Sequence, residues 1–177
     1  MVFDNYQLRS ISLEDIDDYF LFIENNRPRI AIYFPKTNDA TKDLLSTEKH
    51  IQDRIILAEK REFLTYVIYD STAKLIIGAI FLMRIDWTIP KGELGFFLDA
   101  RCEKKGIMSK SLSLFCEMCF KDLGFNRIFM RIAEANLSSR HVAEKNNFLF
   151  EGLIKNDFKT GNGELIDLMY FAKTKLK

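Results

Sequence analysis

The sequence predicts an α/β fold of the mixed (α+β) kind, a mostly antiparallel sheet with helices on both of its faces. Apolar residues recur with strand and helix periods in the order β α α β β β α β α β β. Two strand-helix-strand units lie in the second half of this order, and such units place parallel strands in an otherwise antiparallel sheet. The chain has 177 residues, 47% of them hydrophobic, and we expect one domain over residues 1–177.

The first third of the chain predicts one strand followed by two helices. Residues 6–11 have the pattern of a strand, and Ser12 then caps a helix with apolar residues along one face. Residues 25–29, which contain Pro28, are expected to end that helix. A second helix is predicted from about residue 40 to about residue 60.

The rest of the chain predicts six strands and two helices. The predicted strands are residues 63–69, 74–83, 93–98, 126–133, 148–158 and 164–173. One helix is long and amphipathic, covers residues 106–123 and ends at Gly124. The other is short and covers residues 136–146.

Composition excludes several classes of function. The 26 basic and 25 acidic residues give a net charge of +1, without the basic excess typical of nucleic-acid binding. The longest apolar run, residues 75–83, is far shorter than the roughly 20 residues of a membrane-spanning helix. The N-terminus lacks the pattern of a signal peptide, and three cysteines do not suggest a disulfide framework. We therefore expect a cytoplasmic protein that binds neither nucleic acid nor membrane.

Cys116 and Cys119 form a CxxC pattern inside the long predicted helix. They share a face with Leu112, Phe115 and Leu123, which is the spacing of core residues. A structural zinc site needs four ligands, and no second Cys pair or spaced His pair accompanies these two. We predict core packing here and no metal site.

A basic loop at the start of the long helix favours phosphate binding. The strand at residues 93–98 ends there, and the loop carries Lys104, Lys105 and Gly106. The first backbone N–H groups of a helix have no intrahelical partner, and the helix dipole adds partial positive charge at that end. An ordinary strand-to-helix connection with solvated lysines is the alternative. In open α/β sheets a ligand crevice lies beyond the C-terminal ends of parallel strands, where this loop is expected.

A second polar cluster follows the strand at residues 126–133. Asn136, Ser138 and Ser139 lie where that strand gives way to a helix. Each is a good helix N-cap, so the cluster either caps the helix or faces a ligand.

The two clusters together resemble the GCN5-related N-acetyltransferases, and most closely the branch that acetylates the N-termini of ribosomal proteins. Residues 93–99, ELGFFLD, nearly repeat the EIGYWLD of that branch. Residues 103–108 follow the strand where the family has its coenzyme A loop, Gln/Arg-x-x-Gly-x-Gly/Ala. Residues 123–127 and 136–148 match LGLNR and N-x-x-SR-x-VAEK-x-GF. The likeness covers nearly the whole chain and includes the order of its elements.

The resemblance implies acetyl-CoA as cosubstrate, without a metal. In this family the pantetheine pairs with the strand that precedes the loop, like an added strand, while the pyrophosphate rests on the N–H groups of the loop and helix start. Asn136 would hold the pantetheine arm. The implied cofactor-binding residues are Phe96, Phe97, Leu98, Glu103, Lys104, Lys105, Gly106, Ile107, Met108, Ser109, Asn136, Ser139 and Arg140.

The resemblance also implies catalytic roles. Many members protonate the departing thiolate with a tyrosine, but Ala143 stands at that position, so Ser139 becomes the candidate general acid, with helix capping as its alternative role. Glu93 matches the glutamate of the branch and is the candidate base, acting through a water, with Glu134 as second choice.

The expected acceptor is the N-terminal α-amine of a protein, because an α-amine titrates near 8 and needs less help from a base than a lysine does. A small polyamine, amino acid or antibiotic amine is the alternative, as is a catalytically silent acyl-CoA-binding module. We expect the acceptor side at residues 25–35, 84–87 and 155–162, where Tyr33 and Trp87 either contact the acceptor or pack in the core. Dimers occur in this branch, so the resemblance allows a homodimer.

Three departures from the family pattern have physical consequences. Glu103 replaces the usual Gln or Arg and places a carboxylate near the pyrophosphate, where like charge weakens binding. Lys104 replaces a Gly, and a left-handed backbone there would cost on the order of 1 to 2 kcal/mol. Asn147 replaces a Gly at a helix end and tolerates that conformation better.

Overall fold

A computed structural model describes residues 1–175 and contains one eight-stranded sheet. The strands are β1 (Val2–Phe3), β2 (Tyr6–Ser10), β3 (Leu64–Asp70), β4 (Leu75–Asp86), β5 (Lys91–Leu98), β6 (Arg127–Ala133), β7 (Leu149–Lys159) and β8 (Leu165–Thr174). Their order in the sheet is β1-β2-β3-β4-β5-β6-β8-β7, and β5 and β6 form its parallel pair. The remaining neighbours are antiparallel, which confirms the predicted fold class.

The helices pack on both faces of this sheet. They are α1 (Ile16–Tyr33), α2 (Pro35–Ala40), α3 (Leu44–Glu59), α4 (Ile107–Lys121) and α5 (Leu137–Lys145). One core cluster joins α1 and α3 to the sheet through side chains such as Phe22, Ile51 and Phe81. The other joins α4 and α5 to the opposite face through Leu112 and Ala143, among others. Among residues 1–175, none of these helices combines the length and the apolar character needed to cross a bilayer.

The α4 helix buries the face that its periodicity predicts. Leu112, Phe115, Cys116 and Cys119 are each at most 1% exposed. Burial raises the pKa of the Cys116 thiol to about 12, so this side chain behaves as an apolar residue at neutral pH. The prediction that the CxxC pair packs in the core is confirmed.

The prediction that residues 25–29 end the first helix is wrong. Helix α1 continues through Pro28 to Tyr33. An interior proline costs a helix about 3 kcal/mol. Asn26 and Ile30 are buried on either side of it, and the Asn26 amide donates a hydrogen bond of 2.9 Å to the Phe22 carbonyl. The stabilisation from burying this face of α1 therefore outweighs the cost of the interior proline.

The start of the second predicted helix is also different. Residues Pro35–Ala40 form the separate helix α2, with proline at its first position, where its missing N–H costs nothing. Helix α3 then begins after Asp43, whose side chain accepts a hydrogen bond of 2.7 Å from the Ser46 N–H. The two-residue strand β1 was not predicted, and its length leaves no periodic signal.

Strands β5 and β6 separate soon after they begin. Their parallel pairing covers Lys91 with Arg127, Gly92 with Ile128, and Glu93 with Phe129. Strand β5 stays paired with β4 as far as Leu98, while β6 stays paired with β8 as far as Ala133. Each strand thus follows its antiparallel partner, and a wedge opens between their C-terminal halves.

The turn between β7 and β8 binds the end of α1. The Gly161 N–H donates a hydrogen bond of 3.0 Å to the Ile32 carbonyl, which belongs to the last turn of α1. A Cβ atom on Gly161 would lie 1.8 Å from the Ala31 oxygen. The Thr160 hydroxyl accepts from the Glu164 N–H at 3.1 Å and holds the turn in shape. Glycine is therefore required at position 161 by close approach of two backbones.

A buried polar network joins α1 to the segment after β5. The Asp99 carboxylate accepts hydrogen bonds from the Arg101 N–H at 2.9 Å and from Arg101 Nε at 3.0 Å. The Asn26 side chain accepts from the Ala100 N–H at 3.2 Å. The Arg101 guanidinium holds the pKa of the Asp99 carboxyl at about 2, below its usual range. This network fixes where the basic loop begins.

We predict that Gly161→Ala lowers the free energy of unfolding by about 1 to 3 kcal/mol, because the added methyl forces the turn away from α1 and breaks the bond to Ile32. Urea denaturation measures the change. Glu164→Ala, an exposed side chain in the same turn, is the control and should stay within about 0.5 kcal/mol of the parent. Equal stability of Gly161→Ala and the parent would show that this contact is not formed.

We predict that Asp99 makes stability depend on pH between about 4 and about 2. The carboxyl titrates near 3.9 when unfolded and at about 2 when folded, so its contribution is present above pH 4 and is lost as pH falls toward 2. The exposed Arg101 partner is screened by solvent, and we expect a contribution of about 1 to 2 kcal/mol. Asp99→Asn removes it, so the difference in unfolding free energy between parent and variant should shrink below pH 4. A difference that stays constant with pH would contradict this assignment.

Candidate active site

A cleft of about 740 Å³ lies at the wedge between β5 and β6. Its walls come from the C-terminal half of α1, the end of β5, the loop and first turn of α4, and α5 along its length. Most of the residues that the motifs single out meet there, although the two clusters are about 30 residues apart in sequence. The predicted residues that line the cleft are Phe96, Phe97, Leu98, Glu103, Lys104, Gly106, Ile107, Met108, Ser109, Asn136 and Ser139.

The start of α4 presents backbone donors to this cleft. Gly106 precedes the helix with φ of 77°, and its carbonyl accepts the first helical hydrogen bond, from the Lys110 N–H at 3.0 Å. The N–H groups of residues 107–109 consequently have no acceptor inside the helix. Lys104 also lines the cleft, and Lys145 lines both the cleft and an adjoining hollow that it shares with Gly106 and Ser109 at the start of α4. This end suits an anionic group such as a diphosphate.

Lys104 and Asn147, which stand where the family pattern has glycine, both have left-handed backbones. Lys104 has φ of 61°, and Asn147, just after α5, also has φ of 61°. The expected strain at Lys104 is therefore present in the loop. Asn147 carries less of it, because asparagine populates this region more readily.

The start of α5 fits the capping interpretation at Asn136. The Asn136 side chain accepts a hydrogen bond of 3.1 Å from the Ser139 N–H. Ser139 takes part in this cap through its backbone N–H, and both Ser138 and Ser139 line the cleft.

Three of the predicted site residues do not line the cleft. Lys105 lines an adjoining hollow of about 670 Å³ together with Lys110 and Asn146, among others. The Arg140 guanidinium binds the Glu144 carboxylate at 2.8 Å on the surface of α5. Glu93 lies deeper in the wedge, is 6% exposed and accepts a hydrogen bond of 3.0 Å from Arg131 Nε.

The surroundings of Glu93 form a polar network that the motifs do not reveal. Its second carboxylate oxygen lies 3.1 Å from Arg84 Nε. Arg131 also donates a hydrogen bond of 3.0 Å to the Asp157 carboxylate, to which the Tyr170 hydroxyl donates at 2.8 Å. The sequence signal is a charged residue at position 131 between the apolar Met130 and Ile132, which indicates a buried polar face on the other side of the strand.

Strand alternation places this network on the face of the sheet opposite α4 and α5. Met130 and Ile132 of β6 belong to the core cluster under α4 and α5, so Arg131 points to the face that carries α1. Arg131 pairs across the strands with Tyr170 of β8. Burial raises the pKa of Asp157, but the hydrogen bonds from Tyr170 and Arg131 outweigh it, so the pKa lies below its usual range.

The predicted acceptor segments fall into two groups. Residues 25–35 and 155–162 meet through the hydrogen bond from Gly161 to Ile32, and Tyr33 lines the cleft beside them with 39% of its surface exposed. Trp87 lies elsewhere, where it packs on Phe125 and donates from Nε1 to the Arg61 carbonyl at 2.9 Å. Within residues 1–175, no three His, Cys, Asp or Glu side chains are grouped so as to hold a metal ion.

Comparison with known sequences identifies the family. The model of the acetyltransferase (GNAT) domain matches residues 6–149. A Bacillus subtilis protein named "Probable N-acetyltransferase YjcK" is 28% identical over 144 residues, which are 81% of this chain and 67% of that protein. Spermidine N(1)-acetyltransferase of Vibrio cholerae is 26% identical over 174 residues, 97% of this chain and 96% of the enzyme. Ribosomal-protein-serine acetyltransferase of Escherichia coli is 22% identical over 156 residues, 87% of this chain and 84% of the enzyme.

Comparison of structures gives the same fold. The ribosomal-protein-S5-alanine acetyltransferase of Vibrio fischeri superposes with a TM-score of 0.92 at 24% identity, over 98% of this chain and 95% of that one. Both comparisons include proteins named as ribosomal-protein acetyltransferases, as the motifs predict. The match over residues 6–149, the eight-stranded sheet and the cleft at its wedge lead to one conclusion: the chain belongs to the GCN5-related N-acetyltransferase (GNAT) family.

Proposed function

We propose that the protein is an acetyl-CoA-dependent N-acetyltransferase whose acceptor is the N-terminal α-amine of a protein. The observation that carries this proposal is the cleft at the β5–β6 wedge. It combines a cationic end at α4, an unpaired strand edge on β5 and a serine at the start of α5.

The residues of the cleft fit a coenzyme A thioester. The N–H groups of residues 107–109, with Lys104 and Lys145, would hold the diphosphate. The backbone of β5 from Phe96 to Leu98 has no strand partner on its β6 side and is free to pair with the amides of a pantetheine arm. When bound, acetyl-CoA supplies an activated acetyl group and a thiolate leaving group.

Ser139 and Glu93 would carry the proton transfers. We assign Ser139 as general acid because it lines the cleft and makes the cap hydrogen bond with Asn136 through its backbone N–H rather than its hydroxyl. Glu93 does not line the cleft, so it would accept the proton of the amine through a water. Arg131 would act as a positioning residue for Glu93.

The acceptor side favours a chain end with a single amine. Tyr33 and the contact between Gly161 and Ile32 flank the cleft on the α1 side. The two carboxylates of the Arg131 network, Glu93 and Asp157, are both bound by arginine, so this pair does not form an unbalanced acidic surface for a polycation. Relatives named for ribosomal proteins support the same acceptor class. A cytoplasmic location accords with it.

A thiol-release assay with acetyl-CoA tests the proposal. Peptides that begin with Ser or Ala should be acetylated, while the same peptides with a blocked N-terminus and an internal lysine should not. Spermidine and an aminoglycoside test the alternative small-molecule acceptors. Turnover with spermidine but not with the peptides would show that the acceptor is a small-molecule amine rather than a protein N-terminus. CoA binding without turnover across the panel would show a silent acyl-CoA-binding module.

We predict that Ser139→Ala lowers kcat on the best acceptor by at least about 100-fold and changes the Kd for acetyl-CoA by less than about twofold, because it removes a proton donor and keeps the backbone cap. Ser138→Ala, the adjacent serine in the same cleft, is the control and should keep kcat. Full turnover by Ser139→Ala would remove the acid role.

We predict that Lys104→Gly raises the free energy of unfolding by about 1 kcal/mol and weakens acetyl-CoA binding severalfold. Glycine relieves the left-handed strain at this position, while one cation of the phosphate-binding end is lost. Asn147→Gly is the matched control, with a smaller gain in stability and an unchanged Kd. Denaturant titration and calorimetry give the two quantities, and an unchanged Kd for Lys104→Gly would remove Lys104 from the cofactor site.

A further inference from the structure

Glu103 is the charge that fits a coenzyme A site least well. Its side chain lines the phosphate-binding end of the cleft beside Gly106, where the family carries Gln or Arg. A carboxylate at this place repels a diphosphate, and the repulsion is strong at a site that is partly shielded from water. A cation close to Glu103 is therefore needed if the site is to bind the cofactor.

The structure supplies that cation from α1. The Arg29 guanidinium donates a hydrogen bond to the Glu103 carboxylate and forms an ion pair with it. A second guanidinium nitrogen of Arg29 lies 3.4 Å from the Leu98 carbonyl, at the end of β5. Arg29 is thus anchored to the loop and to the strand end between which the cofactor would enter.

The charges of the cleft show what this contact does. Its lining carries Arg29, Lys104 and Lys145 as cations and Glu103 as its carboxylate. With Glu103 paired to Arg29, both lysines remain to face an anion. Without Arg29, the carboxylate would offset one of them.

The chemistry of the guanidinium allows it to serve both partners. Arginine has five N–H donors in a planar fork, so it can hold a carboxylate on one edge and phosphate oxygens on another. The Arg29 side chain is 51% exposed and lines the cleft, which leaves its other donors accessible. A lysine at position 29 would supply the positive charge but not the planar set of donors that can bind two partners at once.

We propose that Arg29 is a coenzyme A-binding residue, which neutralises Glu103 and donates to the diphosphate from the α1 side of the cleft. This inference rests on the proposed acetyl-CoA function. It also accounts for the presence of Glu103, because the pair of Arg29 and Glu103 together takes the place of the single residue at the family position.

A double-mutant cycle measured by calorimetry tests the inference. We expect Arg29→Ala to raise the Kd for coenzyme A at least 10-fold, and Arg29→Lys to recover part of that loss. In a Glu103→Gln background the same Arg29→Ala change should cost at least threefold less, because the repulsion that Arg29 neutralises is gone. Glu103→Gln alone should bind as tightly as the parent or more tightly. Lys121→Ala, an exposed lysine paired with Glu117 at the far end of α4, controls for loss of one positive charge.

Dephospho-coenzyme A identifies the phosphate that Arg29 contacts. This ligand keeps the diphosphate and lacks the 3′-phosphate, so the 10-fold loss in Arg29→Ala should persist with it. A loss that disappears with this ligand would overturn the placement at the diphosphate. A Kd for Arg29→Ala within twofold of the parent, or an equal loss in both Glu103 backgrounds, would overturn the proposal.

The same measurements separate this inference from the proposed function. Failure of the parent protein to bind coenzyme A would remove the proposed function. Tight binding by the parent with no effect of Arg29→Ala would remove only the role of Arg29. The unfolding midpoint of each variant, measured without ligand, shows that a changed Kd does not come from loss of the fold.

Discussion

The limited pairing of β5 with β6 is the constraint on which the functional site depends. Three residue pairs hold the two parallel strands together, and each strand then follows its antiparallel partner. Backbone N–H and C=O groups along the end of β5 are left without a strand partner on that side, and such groups require an external hydrogen-bonding partner. A ligand with amides of its own would satisfy them. The fold thus creates a binding edge in the middle of a sheet, where edges are normally paired.

Helix α1 forms the wall of the cleft that lies across from α4 and α5, and it contacts both the segment after β5 and the loop before α4. Asn26 holds the segment after β5, Arg29 pairs with Glu103, and Tyr33 faces the cleft. These three residues recur at spacings of three and four, so they lie along one face of the helix. Continuation of the helix through Pro28 is what brings Arg29 and Tyr33 to the cleft. The contact of Gly161 with Ile32 then fixes the end of that helix.

Sequence patterns predicted what is local and missed what depends on distant contacts. The α4 helix and the antiparallel hairpins have clear periodicity, and the motifs singled out the loop before α4 and the start of α5, which both line the cleft. Three features were beyond the reach of pattern. The extension of α1 past Pro28 depends on burial against the sheet, and the pairing of Arg29 with Glu103 joins residues 74 positions apart. The network of Arg131, Asp157 and Tyr170 likewise spans three strands.

The distribution of charge separates the tasks of the two faces. On the α4 and α5 side, lysines and helical N–H groups present positive charge to the cleft. On the α1 side, Arg84 and Arg131 alternate with Glu93 and Asp157, so the charges cancel within the network. An extended polycation gains little from such a balanced surface, because each carboxylate is already paired. A single α-amine does not depend on such an acidic surface, and for this reason we favour a protein N-terminus over a polyamine.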